Sequence, residues 1–382
     1  MPWLTRDQAL AALGTKPQSL YASVSRGRVR TKADPVDPRR SLYSGDDVAR
    51  LAQRAAGRRR TSVIAADAIR WGDPVLDSAI TTIAGQRPYY RGRDAVTLAE
   101  TASLEEVAAL LWQAETVVLS TADSPTRLRA TKLAPLRRAF AAIADRAATD
   151  LPMLGRAPRP LQAESAELVA LLADAVGAVP GAAPLHERLA GGWGVAAAAE
   201  PIRCALVLLA DHELNASTFA ARIAASTGAS LAAAMLTGLA TLTGPLHGAA
   251  VCGIVELREA ARSSGAGAAV RAWLAGGRRL PGFGHPLYGD GDPRARSLLA
   301  HLEPSAGFVD LATAGRELAG EEPNIDFALA ALADVYGLPP GAPLSLFAVA
   351  RSVGWLAHAM EQNATGALIR PRARYIGPSV GA

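Results

Sequence analysis

Cysteine is scarce: the 382 residues hold only Cys204 and Cys252. Neither has metal-ligand spacing, and two thiols make no disulfide framework, so a reducing compartment is expected. Long apolar runs are missing too. The longest, around Ala205 to Ala210, falls far short of the roughly 18 residues that would suggest a membrane span. Met1 to Arg6 leads into a short amphipathic segment rather than a secretory leader, and a cytoplasmic location with no membrane partner is expected. Aromatics are only 5% of residues, and neither an internal repeat nor a low-complexity tail is found.

What is present is apolar, at 50%, and dominated by Ala and Leu in runs broken by 35 Gly and 25 Pro. That composition predicts an all-α protein, long enough for two or three domains. The net charge of +5 is unevenly spread: residues 1–60 carry 13 Lys and Arg against 5 Asp and Glu, the rest 27 against 30. The basicity belongs to one end.

That end has its own pattern. Thr5 is placed to cap a helix over 5–13 with Ala9, Leu10, Ala12 and Leu13 as its apolar side. Pro17 opens a second helix, with Leu20, Tyr21 and Val24 on one side, closed at Gly27. Arg28 to Arg30 and Ser41 to Tyr43 then suit a small ribbon, and Ser44 caps a third helix through Asp47, Val48 and Leu51. This resembles the winged helix-turn-helix of the excisionase and MerR-type families. The resemblance implies phosphate contacts from Arg26, Arg28, Arg30, Lys32, Arg39 and Arg40, with Ser19 and Ser23 toward bases. Packing on a partner, with the charge merely solvated, is the other reading. The module spans 1–56, and the charged run Gly57 to Arg60 is its linker.

Beyond the linker, Ser62 to Ile64 and Ala79 to Ile83 suit short strands, Tyr89 to Asp94 a polar turn, and 178–184 a loop. Helices are expected over Leu104 to Trp112, capped by Ser103 with Glu106, and over 124–147 and 160–177.

Four stretches carry chemistry. Asp211-His212-Glu213 is a polar cluster directly after a buried helix, where His212 is either a satisfied core histidine or a site residue. In Gly244-Pro245-Leu246-His247-Gly248, His247 stands at a helix start that disfavours imidazolium and suits a neutral hydrogen-bond donor. Leu280 to Arg296 holds His285 in a tight Gly/Pro loop and then starts a helix, with Asp292 as cap and Pro293 at the first position. Arg294, a cation at the wrong end of that helix dipole, reads as held for an anion. Last, Asp326 follows Pro323-Asn324-Ile325 just inside a helix, among apolar neighbours that could desolvate it into a base.

In this order these stretches resemble the active-site signatures of the citrate synthase family. The likeness adds Tyr90-Arg91-Gly92, Phe347 with Arg351 to Trp355, and Arg370-Pro371-Arg372, and covers roughly 61–382. It implies a citrate synthase fold, with a large domain from 61–248 and 338–382 and a small one from 249–337. The implied reaction condenses acetyl-CoA with oxaloacetate; propionyl-CoA, giving 2-methylcitrate, is the alternative. A DNA-binding metabolite sensor is the alternative from another class. Asp326 would be the base, His247 the enolate donor and His285 the group polarising the ketone, helped by His212. Arg294, Arg351 and Arg370 would bind carboxylates, Arg370 from the partner of a homodimer. His358 reads as structural. No metal and no permanently bound cofactor are implied, only CoA as co-substrate.

Two departures stand out. Leu209 replaces the first His of a common His-Ala-Asp-His-Glu pattern. Pro286-Leu287-Tyr288-Gly289-Asp290-Gly291 replaces a loop usually rich in basic or amide groups that meet CoA, so Arg278 and Arg279 are the expected substitutes.

Overall fold

The computed structural model describes residues 3–13, 17–25, 29–34, 37, 40–49, 76–120, 133–373 and 375–378. It divides into two compact units, Met1–Asp77 and Ser78–Ala382.

In the first unit, β1 (Trp3–Leu4), α1 (Arg6–Leu13), α2 (Pro17–Ser25), β2 (Thr31–Ala33) and β3 (Ser41–Ser44) precede helical residues (α3) that are described over 45–49. Thr5 does start α1: its N–H donates to Gln8 Oε1 at 2.9 Å, and Gln8 N–H returns a bond to Thr5 Oγ1 at 3.4 Å, a reciprocal cap. The ribbon forms slightly further along than its pattern suggests. Thr31–Ala33 pairs antiparallel with β3, and β1 joins the other edge. Ala9, Leu20, Val29, Tyr43 and Val48 make a separate small core. Tyr21 is exposed instead, because it lies about 100° around the helix from Leu20. Several basic residues are already engaged: Arg30 with Asp47 at 2.8 Å, Arg40 with Asp37 at 3.2 Å, and Lys32 over the Trp3 ring. Arg26, Arg28, Arg39, Leu51, the linker, Ser62 to Ile64 and the Ser19 side chain lie outside the described residues, as does 121–132.

The second unit opens with a sheet ordered β4 (Thr81–Ala84), β5 (Arg87–Tyr90), β6 (Arg93–Asp94). The expected polar turn over Tyr89 to Asp94 is therefore mostly strand, and only Arg91-Gly92 turns. Alternate burial of Pro88 and Tyr90 gives the period of two that sets the strand, and Tyr90 Oη donates to the carbonyl of Val207 at 3.0 Å.

Helices follow: α4 (Ala95–Thr101), α5 (Leu104–Trp112), α6 (Pro135–Thr149), α7 (Pro158–Val176), α8 (Leu185–Gly192), α9 (Ala199–Leu209), α10 (Ala216–Ser226) and α11 (Leu231–Leu242). Ser103 and Glu106 form the expected capping box on α5. After a turn of 3-10 helix at Gly248–Ala250 come α12 (Val251–Ser264), α13 (Ala266–Ala275), α14 (Pro293–Ala300), α15 (Ala306–Ala319), α16 (Ile325–Tyr336) and α17 (Ala342–Thr365). The 24-residue α17 is buried along most of its length, as befits a helix apolar on all sides. It packs against α5, α7, α9, α10, α11 and α16. Gly238 of α11 admits Trp355 of α17, since a Cβ there would stand 2.6 Å from the indole. Helices α12, α13, α15 and α16 pack on one another, while α14 contacts α16, α4 and α9. Thus α14 joins the two groups of helices. Among the described residues no helix is long and apolar enough to cross a membrane, and no three candidate ligands could hold a metal.

Candidate active site

The site is assembled by two chain segments laced side by side. Gly284 N–H donates to the carbonyl of Glu322 at 2.9 Å, Asn324 N–H to that of Gly282 at 2.8 Å, and the Asn324 amide to the carbonyl of Gly284 at 3.0 Å. Gly284 takes φ of +66°, which a side chain would resist, and this turns the strand so that His285 follows. Asn324 also caps α16: its Oδ1 accepts from the N–H of Asp326 at 3.0 Å and of Phe327 at 3.4 Å. One neutral cap thereby fixes Asp326 relative to the His285 loop.

Asp326 stands in the first turn of α16, where the helix dipole would ordinarily favour a carboxylate. Yet its Oδ1 is inaccessible and without a hydrogen-bond partner in the structure. Burial, with the nearby charge of Asp292, pushes its carboxyl up to about 7 against the pull of Arg294 and Arg351. It is poised as a base near neutral pH.

Asp292 caps α14 as expected and does more. Its Oδ1 accepts from Arg294 N–H (3.0 Å) and Nε (2.9 Å), its Oδ2 from Arg294 Nη2 (2.8 Å) and from Ile325 N–H (3.1 Å). Arg294 is thus buried in a bidentate pair, its guanidinium 5.3 Å from the Tyr288 ring centre. Burial alone would raise Asp292, but Arg294 holds its carboxyl below the usual range.

Three imidazoles meet this frame. His285 Nδ1 accepts from the N–H of Leu287 at 3.2 Å, which leaves the proton of the neutral ring on Nε2. Burial and Arg294 bring its pKa down to about 4. His212 lies edge-on to His285 with ring centres 5.2 Å apart, and its Nε2 is 2.8 Å from Tyr288 Oη; burial, Arg294 and Arg351 hold its pKa well below the ordinary value. His247 precedes the 3-10 turn, its Nε2 2.8 Å from Ser217 Oγ. Ser217 in turn accepts from Trp355 Nε1 at 3.0 Å and lies 2.8 Å from Asn215 Oδ1. Burial, then Arg351, lowers His247 to about 4. All three rings are neutral hydrogen-bonding groups at pH 7.

Arg351 is buried, donates from Nε to the carbonyl of Leu209 at 2.8 Å and sits over Phe347, whose ring faces His247 edge-on. Burial lowers it to about 10 despite Asp211, so it stays charged. His358 belongs to the core, 3.2 Å from Asp211 Oδ2 and from Arg222 Nη1. The structure therefore gathers His212, His285, Arg294 and Asp326 in one connected region, with His247 and Arg351 joined through Phe347. Arg370 is exposed beyond α17 and shares no hydrogen bond or ion pair with them among the described residues. Arg278 and Arg279 are exposed after α13; Arg278 stacks 3.7 Å above Trp273, whose Nε1 donates to the carbonyl of Arg279. Sequence reasoning missed Ser217 and Tyr288. Ser217 carried one signal, its place right after the Asn215 cap.

The model of the citrate synthase C-terminal domain matches residues 193–372. Over these residues the chain is similar to the citrate synthase family. The same residues contain every gathered side chain. Citrate synthase 2 of Bacillus subtilis is 39% identical over 193 residues, 47% of this chain and 51% of its own. A 2-methylcitrate synthase of Shewanella oneidensis is 34% identical over 185 residues, 46% of this chain and 49% of its own. The chain thus spans about half the length of the relatives it matches. The likeness in fold runs further: citrate synthase of Thermotoga maritima superposes with a TM-score of 0.68 at 25% identity, over 81% of this chain and 96% of that one. Ser78–Ala382 therefore has a citrate synthase fold.

Proposed function

We propose that the protein is an acyltransferase that condenses acetyl-CoA with oxaloacetate to give citrate and CoA. The observation that carries this is Asp326, a desolvated carboxyl brought to about 7 on a helix start laced to the loop of His285. Asp326 takes a proton from the acetyl methyl. His247 stabilises the enolate as a neutral hydrogen-bond donor, its ring held by Ser217 Oγ at Nε2. The enolate carbon attacks the ketone carbon of oxaloacetate, and the ketone oxygen takes the Nε2 proton of His285. Water then cleaves the thioester and CoA leaves as the thiol. Arg294 and Arg351 hold carboxylates, with Arg370 from a partner copy. Exposed Leu368, Tyr375 and Ile376 around Arg370 favour such a homodimer. Arg278 and Arg279 take the CoA phosphates. The helices of 249–337 form a small domain that closes on the other helices of the second unit, expelling water before enolisation.

Propionyl-CoA enters the same steps to give 2-methylcitrate, and the relative from Shewanella oneidensis keeps that substrate open. Helices α1 and α2 beside a three-stranded sheet, among the described residues of the first unit, support a helix-turn-helix module, and through it a DNA-bound sensor as the second reading. Thiol release on mixing with oxaloacetate and each acyl-CoA decides between them. Release with acetyl-CoA is expected; release with propionyl-CoA alone moves the assignment, and none with either overturns catalysis. Duplex-DNA affinity that weakens steeply with salt would support the module.

A further inference from the structure

Among the described residues only Gln86, Arg91, Gln113 and Glu213 combine a side chain with a left-handed φ. Three of the four converge on the hairpin of β4 and β5. Such backbone is strained and persists only where its surroundings hold it. The hairpin turns through Gly85-Gln86, both at positive φ, the two-residue turn that favours Gly or Asn. Gln86 has a compensating use. Its Nε2 donates to Asp290 Oδ2 at 2.6 Å, and Asp290 N–H donates to its Oε1 at 2.8 Å. Deeper in the hairpin, Ile83 N–H donates to Glu213 Oε1 at 2.7 Å. At its far end Arg91 donates to the carbonyl of Leu111 at 3.0 and 2.7 Å, and to that of Ala79 at 3.3 Å.

The two loops so tied are those of the ketone site. Asp290 lies two residues after Tyr288, and Glu213 adjoins His212, whose Nε2 is 2.8 Å from Tyr288 Oη and whose ring centre is 5.2 Å from that of His285. We propose that the β4–β5 hairpin is a strap that sets the separation of His212 and His285, with Gln86, Asp290 and Glu213 as positioning residues. The strap also accounts for the departure at Gly289-Asp290-Gly291. The carboxylate and the backbone N–H of Asp290 together partner both ends of the Gln86 amide. The inference deepens the oxaloacetate reading and rests on it for its kinetic arm only.

The experiment compares Gln86→Gly, which relaxes the turn but removes the amide, with Asp290→Ala, the double variant, Glu213→Ala and Glu213→Gln, all in the full chain. Amide hydrogen exchange without substrate should quicken about 10-fold over 287–291 in Gln86→Gly. The oxaloacetate KM should rise roughly 3- to 10-fold with kcat changed less. The double variant should be no worse than either single one, since both break one pair. Glu213→Gln, which still accepts from Ile83, should keep the wild-type KM while Glu213→Ala loses it. Exchange and KM unchanged in Gln86→Gly, or a Glu213→Gln as impaired as Glu213→Ala, would overturn the strap. A wild-type chain that does not turn over would sink the catalytic reading instead, and the exchange arm would still decide the strap.

Discussion

Two helix starts lie side by side in this molecule and treat an aspartate in opposite ways. At the start of α14, Asp292 is the cap; at the start of α16, Asp326 stands two residues inside a cap supplied by Asn324. Both feel the positive end of a helix, and both lose hydration to burial. Asp292 accepts four hydrogen bonds, two of them from the Arg294 side chain, and its carboxyl is held low. Asp326 has an oxygen with no partner and rises to about 7. Burial sets the scale of the shift, and fixed donors set its sign. The Arg294 guanidinium clamps Asp292, whereas Arg294 and Arg351 act on Asp326 only through space.

The largest break in this comparison is Asp326→Asn. Turnover should fall by about 10²–10⁴-fold, the range for losing a general base, while oxaloacetate still binds by calorimetry. Equal loss of binding would assign Asp326 to the substrate clamp instead. The same variant reads the shift itself. The native state keeps a proton on Asp326 that the unfolded chain releases near pH 4. Wild-type stability is therefore eroded as pH rises from about 4 to 7, and the full cost stands above 7. Asp326→Asn removes it, so melting at pH 8 should show a gain of up to roughly 4 kcal/mol, the value of about three pKa units, and little gain at pH 4. In the wild type the turnover profile should climb through a limb near 7.

Asp292→Asn tests the other half. Asn still caps a helix, so the change isolates the charge. Arg294 would be left buried without its counter-ion, at a cost of about 3–5 kcal/mol in denaturant unfolding. With a neighbouring anion gone, the acid limb of whatever turnover remains should move to lower pH. A stability cost well under 1 kcal/mol would mean that Arg294 finds other partners, and that the contrast between the two helix starts is not electrostatic.

Much of this contrast could be read along the chain, and its decisive part could not. Caps and helix starts are local: Asp292-Pro293, the Gly/Pro frame of His285 and the place of Asp326 are visible because their causes lie within a few residues. Partners far apart in sequence are not. Nothing around Asp292 announces that Ile325 donates to it, and nothing near His247 points to Ser217, thirty residues away. Tyr288 sat in view inside a departing loop, but its bond to His212 depends on how α9 and that loop meet. The mainly helical fold follows from Ala/Leu runs, whereas the polar neighbours of Tyr89 and Tyr90 mask the strand β5. Arg278, Arg279 and Arg370 are exposed, and no pairing among the described residues ties them to the gathered side chains.

The smallest effect is the most discriminating about how the two starts are joined. Asn324 uses its Oδ1 to cap α16 and its amide to hold the carbonyl of Gly284. Asn324→Ser keeps a capping oxygen and drops the tether; Asn324→Ala drops both. The difference in unfolding free energy between them should be about 1 kcal/mol, the usual worth of a cap. If the tether is what fixes His285 against Asp326, both variants should lose turnover by a similar factor in spite of that difference. If Asn324→Ser turns over like the wild type, the backbone bonds of Gly282 and Gly284 suffice. The two segments then owe their alignment to the short strand pairing around Phe283 and Pro323, with the cap serving stability alone.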